Sequence, residues 1–149
     1  MRTTAVDAEA VRPLRAGVLR PGQPHEQLIF PGDDAPDTLH AAVAMEERIV
    51  GVASVMREPY PHDPLAGDWR VRGMAISAEM RGRGIGGALL ARCENHARDH
   101  AGARLWCNAR VRARTLYERA GFAVDGEVFE IPLIGPHYLM RKPLRDERG

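Results

Sequence analysis

The sequence predicts a mixed α/β domain: a central mixed sheet of about six to seven strands with helices on both faces. Three observations predict it. The run from Trp69 to Asn108 reads strand, glycine loop, helix, strand, an order that makes its two strands parallel through a right-handed crossover. The run from Thr38 to Arg57 reads as two β-rich segments meeting at Glu46 and Glu47, an antiparallel hairpin. The chain then closes on another pair of strands. A length of 149 residues suits one domain with its own core, so residues 1–149 are read as a single unit.

In chain order, residues 1–9 read as a flexible lead-in. Ala10 to Leu14 then resembles a first strand ended by Pro13, which serves the first turn of a short helix through Leu19. Arg20 to Asp37, rich in glycine and proline, is a long loop expected on the substrate side. After the hairpin, Pro59, Pro61 and Pro64 force a second loop up to Asp68, also expected at the substrate mouth. Trp69 to Ile76 alternates as a strand. Ile85, Ala88, Leu89, Cys93 and Ala97 recur at helical spacing, and that helix ends near Gly102. Ala103 to Asn108 is a strand, and Ala113 to Ala120 a helix stopped by Gly121. Phe122 to Ile131 and Gly135 to Lys142 are the closing strands, with Pro132 in their connection.

Composition excludes several function classes. The formal charge of +1, with Tyr117 the single aromatic residue among Arg110, Arg112, Arg114 and Arg119, too few for a stacking platform, argues against a nucleic-acid binder. No window approaches the roughly 18 apolar residues of a membrane span, and the first residues lack the apolar core of a signal peptide. Two cysteines, Cys93 and Cys107, give neither a disulfide framework nor a metal spacing, which favours a reducing interior; the expected location is cytoplasmic. His96 and His100 lie four apart, but the Glu of H-E-x-x-H is absent and no third ligand stands nearby. They are read as a wet helix face, and no metal is expected.

The glycine loop, Arg81-Gly82-Arg83-Gly84-Ile85-Gly86-Gly87, carries the functional signal. Glycines let a ligand approach the backbone, and the helix behind leaves its first N–H groups unpaired at a positive dipole end. That combination invites phosphate. Gly82, Gly84 and Gly87 fit the dinucleotide pattern G-x-G-x-x-G, yet no acid closes the next strand to bind a ribose; Asn108 and Arg110 stand there.

The alternative parsing, Arg81-x-x-Gly84-x-Gly86 after a strand and opening a helix, resembles the acetyl-CoA loop of the GCN5-related N-acetyltransferase (GNAT) superfamily. Asn108 at the end of the following strand, and Leu116-Tyr117-Glu118-Arg119-Ala120-Gly121-Phe122 on the next helix, match that family in order and spacing. The resemblance implies the GNAT fold and an acetyl-CoA-dependent N-acetyltransferase that passes the acetyl group directly to a primary amine. It implies that backbone N–H groups of Arg83, Gly84, Ile85, Gly86 and Gly87, with Arg81 and Gly82, cradle the pyrophosphate. Met74, Ala75 and Ile76 would hold the pantetheine arm where this strand and the next splay, with the Met74 N–H facing the oxyanion. Arg110 or Arg114 would meet the 3′-phosphate, unless they are only a solvated face.

By the same resemblance Tyr117 gives a proton to the leaving thiolate, and Asn108 orients the pantetheine or a bound water. Many members carry a glutamate base on the strand before the loop, where this chain has Arg70 and Arg72. Asp68, Glu130 and His137 are the remaining candidates for the base. Asp33, Asp34, Glu58 and Asp68 in the two loops suggest a cationic acceptor. A protein or peptide N-acetyltransferase and a non-catalytic acyl-CoA-binding module stay open as alternatives. An exposed edge strand at the C-terminal end permits a homodimer.

Overall fold

The computed structural model describes residues 1–22 and 28–145. Its elements are β1 (Thr4–Val6), α1 (Ala8–Leu19), β2 (Leu39–Met45), β3 (Arg48–Arg57), β4 (Asp68–Ile76), α2 (Ile85–Asp99), β5 (Arg104–Arg110), α3 (Arg114–Arg119), β6 (Ala123–Val124), β7 (Phe129–Ile131) and β8 (Gly135–Pro143). They build one eight-stranded sheet in the order β1-β2-β3-β4-β5-β8-β6, with β7 also paired to β8. Only β4 and β5 run parallel, as the strand, loop, helix, strand order demands.

Alternate residues of β2 and β3 go to opposite faces, which places a helix on each. Ala41 and Val43 join Leu89, Cys93 and Ala97 of α2 in the main core. Ala42 and Val52 pack with Val11 of α1 and Ala75 of β4 on the other face. The helix pattern thus agrees with a mixed sheet covered on both sides.

Three parts of the chain depart from the sequence reading. Residues 1–9 are not all a lead-in, because Thr4–Val6 pairs antiparallel with β2 at His40 to Ala42. Ala10 to Leu14 is helical and not a strand. Asp7 caps it by accepting the Ala10 amide at 3.0 Å, and Val11, Leu14 and Val18 form one apolar face against the sheet. Pro13 lies inside this helix, exposed, where it forfeits a single backbone bond. The expected strand from Phe122 to Ile131 is broken into β6 and β7 around Gly126, and the two pieces pair with opposite ends of β8. The long loop from Arg20 to Asp37 is described except for residues 23–27, so the reading of those five lies outside the described residues.

Pro59 to Asp68 does not reach the substrate mouth. Tyr60 is 1% exposed and packs edge-on against Trp106, with its hydroxyl donating to Asp125. Asp68 anchors the loop by accepting the amides of Tyr60 at 3.0 Å and Leu65 at 2.7 Å, and it takes two guanidinium bonds from Arg104 at 2.8 and 3.1 Å.

Burial pushes the Asp68 carboxyl up, but the hydrogen bonds from Arg104 and the two amides outweigh it and hold it below its ordinary value of 3.8. A carboxyl lowered in this way adds stability above its unfolded pKa and loses it as pH falls through the folded one. Asp68→Asn, which takes away the buried partner of Arg104 and leaves it the exposed Asp63 at 3.3 Å, is expected to lower the unfolding free energy at pH 7 by about 1.5–3 kcal/mol. The gap from the natural protein should narrow when urea denaturation is repeated near pH 3.

Candidate active site

β4 and β5 pair only at Asp68–Arg104, Trp69–Leu105 and Arg70–Trp106, although β4 continues to Ile76 and β5 to Arg110. Beyond Arg70 the two strands diverge. A bulge helps to turn β4 aside: Val52 faces Ala75 and Ser54 faces Arg72, so Gly73 and Met74 together oppose Ala53. Gly73 has φ +69, and a Cβ there would come within 2.7 Å of the Arg15 Nε, so both conformation and space call for glycine.

Arg15 reaches this point from α1. Fully buried, it holds Asp33 with bonds of 2.8 and 3.3 Å, Ser54 Oγ at 2.9 Å and the Leu28 carbonyl at 2.8 Å. His40 completes the cluster, with Nδ1 2.6 Å from Ser54 Oγ and Nε2 2.9 Å from the Asp33 carbonyl oxygen. Nothing in the functional reading of the sequence singled out Arg15, Ser54 or His40. The available signal was an arginine four residues after Val11, on the apolar stripe of a helix.

The divergence opens a continuous cleft with two lobes that share Leu19, Met74, Arg110 and Ala113. The larger lobe, about 550 Å³, lies over the glycine loop. Gly84 is the N-cap of α2 with φ +82 and offers no side chain to the helix's first amides. The N–H groups of Ile85, Gly86 and Gly87 therefore have no intrahelical partner, and the first bond is Ala88 N–H to the Gly84 carbonyl at 3.1 Å. Met74 and Ile76 wall this lobe from β4. Arg81, Arg110, Arg112 and Arg119 also line it, and no carboxylate does so among the described residues.

The smaller lobe, about 170 Å³, holds Tyr117, Asn108 and His137. Tyr117 is placed by a Schellman turn that ends α3. The Phe122 amide bonds the Tyr117 carbonyl and the Gly121 amide bonds the Glu118 carbonyl, both at 3.0 Å. Gly121 has φ +97, and the Phe122 ring meets the Tyr117 ring edge-on at 5.5 Å. Lys142, the one lysine, donates to the remaining Ala120 carbonyl at 2.7 Å and pairs with Glu94 at 2.5 Å. Burial, then the neighbouring Cys107 and Cys93 thiols, pushes the Tyr117 phenol well above its ordinary 10. His137 is 5% exposed and its Nδ1 lies 2.8 Å from the Gly135 carbonyl oxygen. A carbonyl only accepts, so Nδ1 carries the proton and the Nε2 of the neutral ring carries the lone pair.

Several expected site residues fall elsewhere. Glu130 is exposed and does not line the cleft, because Ile131 takes the inward position on β7 and strand alternation turns Glu130 away. Ala75 points to α1 for the same reason. Arg83 is exposed outside the larger lobe, whereas Arg81 and Gly82 line it. Arg114 bonds Glu118 at 3.1 Å and sits over the Tyr138 ring; Arg112 takes the cleft position expected of it. Asp68 is consumed by Arg104, so of the three candidate bases only His137 reaches the cleft. His96 is half-buried against Trp69 rather than on a wet face, and its Nε2 lies 2.7 Å from the Asp37 carbonyl oxygen.

A family model described as an acetyltransferase (GNAT) domain matches residues 10–135. The chain belongs to the GNAT family. This GNAT protein is 30% identical over 148 residues, 99% of each chain, to YitI of Bacillus subtilis (strain 168), named an uncharacterized N-acetyltransferase. Its fold is similar to that of an aminoglycoside 6′-N-acetyltransferase solved with coenzyme A, at TM-score 0.74 and 14% identity, covering 99% of each chain. It is also similar to Escherichia coli ElaA, at TM-score 0.77 and 20% identity, covering 95% of this chain and 98% of the other. The chain is thus an N-acetyltransferase of the GNAT type. Among the described residues no helix is long and apolar enough to cross a membrane.

Gly121→Ala tests the turn that places Tyr117 in this acetyltransferase. It introduces a Cβ at positive φ and within 3.0 Å of the Lys142 Cε, and is expected to cost about 1–2 kcal/mol in urea denaturation.

Proposed function

We propose that this acetyltransferase transfers the acetyl group of acetyl-CoA directly to the primary amine of a small molecule, within a ternary complex. One observation carries the reading: the divergence of β4 and β5 joins an arginine-lined glycine cradle to a small lobe holding a phenol and an imidazole. Acetyl-CoA supplies the activated thioester. The donor set fits it, since unpaired amides at a helix N-terminus and four arginines match a diphosphate and a further phosphate. The unpaired edge of β4 from Val71 to Ile76 fits the amides of an extended pantetheine arm, as an added strand would.

Within the smaller lobe, His137 Nε2 takes the proton from the attacking ammonium or amine. Tyr117 Oη gives a proton to the departing sulfur. A phenol held well above pKa 10 is fully protonated at neutral pH, so it starts the reaction in the form the task needs. The same burial that weakens it as an acid also strengthens a thiolate as a base, as the Cys93 thiol, pushed up to about 12, illustrates. Asn108, beside Tyr117, positions the arm or a water. The N–H of Met74, in the bulge, is the donor for the developing oxyanion.

Tyr117→Phe keeps the ring that packs on Phe122 and removes only the proton. Its kcat should fall by about 100-fold or more, with the thermal shift on adding CoA unchanged. Gly84→Val should do the reverse first: a β-branched side chain at positive φ disrupts the cradle, and the CoA-induced thermal shift should be largely lost. Thiol release from acetyl-CoA across a panel of amines checks the first, and thermal denaturation with and without CoA the second. A folded protein that gains no thermal protection from CoA sinks the reading.

A further inference from the structure

None of the acids that suggested a cationic acceptor lines the smaller lobe. Asp33 is 3% exposed and closed by Arg15 and the Phe30 amide. Asp68 is closed by Arg104, and Glu58 bonds Arg70 at 2.8 Å. Asp34 is exposed and lies 3.9 Å from Arg12. What remains in the smaller lobe has the opposite sign. Among the described residues its walls include Arg20, Arg70, Arg72, Arg110 and His137, and no carboxylate.

Arg72 stands out among these. Arg110 donates to the Leu19 carbonyl at the end of α1, and Arg70 has Glu58. Arg72 makes no ion pair among the described residues, and its guanidinium carbon lies 4.1 Å from the centroid of the Phe30 ring. Burial and the neighbouring charge of Arg70 lower its pKa to about 10, so it is still a cation at neutral pH. The ring contact uses the cation's charge and not its N–H donors, which bond no group among the described residues. Glu58 and Asp33 attract it from a distance but are bonded to Arg70 and Arg15, so an oxyanion that bonds the guanidinium directly offsets more of the cost of its burial.

We propose that the acceptor is a small primary amine that also carries an oxyanion, a carboxylate or a phosphate, and that Arg72 binds the oxyanion while the amine faces His137. This rests on the acetyltransfer reading above and adds the acceptor's charge to it. The volume agrees: a cavity on the order of 150 Å³ takes a benzene-sized molecule, so about 170 Å³ has room for an amino-acid-sized group. Arg72 acts here as a specificity residue that touches substrate, with Arg20 adding field of the same sign.

The test compares amines in matched pairs: β-alanine with its amide, phosphoethanolamine with ethanolamine, and spermidine and kanamycin as cationic amines. The better anionic member should exceed its neutral partner at least about 10-fold in kcat/KM, and comparison of the two pairs tells carboxylate from phosphate. Arg72→Gln should collapse that ratio by about 10- to 100-fold, the worth of a charge-assisted bonded pair, and Arg72→Lys should restore part of it. A CoA-induced thermal shift in each variant shows that it is folded. Preference for spermidine or kanamycin, or an unchanged ratio in Arg72→Gln, overturns the proposal while leaving the acetyltransfer reading intact. Binding is read separately from turnover: with CoA present, the anionic amines should raise the melting temperature of the natural protein and not of Arg72→Gln. No such shift from either anionic amine, with no turnover of them, also overturns it.

Discussion

Parallel pairing between β4 and β5 stops after three residue pairs, and the site exists because of that stop. Main-chain N–H and C=O groups left unpaired inside a protein must find partners, so an opened sheet is a standing demand for hydrogen bonds. From Val71 to Ile76 the side of β4 that faces β5 is left in that state. The opening is held from both faces. On one, Arg15 reaches under the Gly73 bulge and ties α1 to Asp33 and Ser54. On the other, the Schellman turn after α3 and the Lys142 contact fix Tyr117 near the gap.

Charge is sorted by the same architecture. The formal charge of the chain is +1, yet the cleft is strongly cationic because its acids are paired elsewhere. Asp33 with Arg15 and Asp68 with Arg104 are buried pairs that brace the fold. Their removal from the ledger of free charges leaves arginines around both lobes. Net charge describes solubility and long-range attraction, whereas recognition depends on which side chains have spent their partners. Both lobes of the cleft thus carry charge of one sign among the described residues.

Much of this was legible in the chain itself where the signal is local. The glycine loop, the helix behind it, the parallel crossover and the Gly121-Phe122 stop all follow from backbone preferences spanning a few residues. Asn108 and Tyr117 were placed by their order after that loop, and the structure brings both into one lobe with His137. The first helix was misread because Pro13 suggests a helix start, while Asp7 and the Val11, Leu14, Val18 spacing set the start earlier. β6 and β7 read as one strand although Asp125-Gly126 is a local turn signal; what the sequence does not carry is that the two pieces pair with opposite ends of β8.

By itself, then, the sequence determined the glycine loop, the strand and helix order around it, and the turn at Gly121, because each depends on dihedral preference or short-range periodicity. Only the tertiary structure decided which charged groups are free. Glu130 and His137 are equally plausible bases as letters, and strand alternation sends one to solvent and the other to the cleft. Asp33 and Asp68 look like a welcome for a cation until Arg15 and Arg104 arrive from residues 18 and 36 positions away. Pairing across such distances depends on how the layers pack, and no local pattern of residues carries that information.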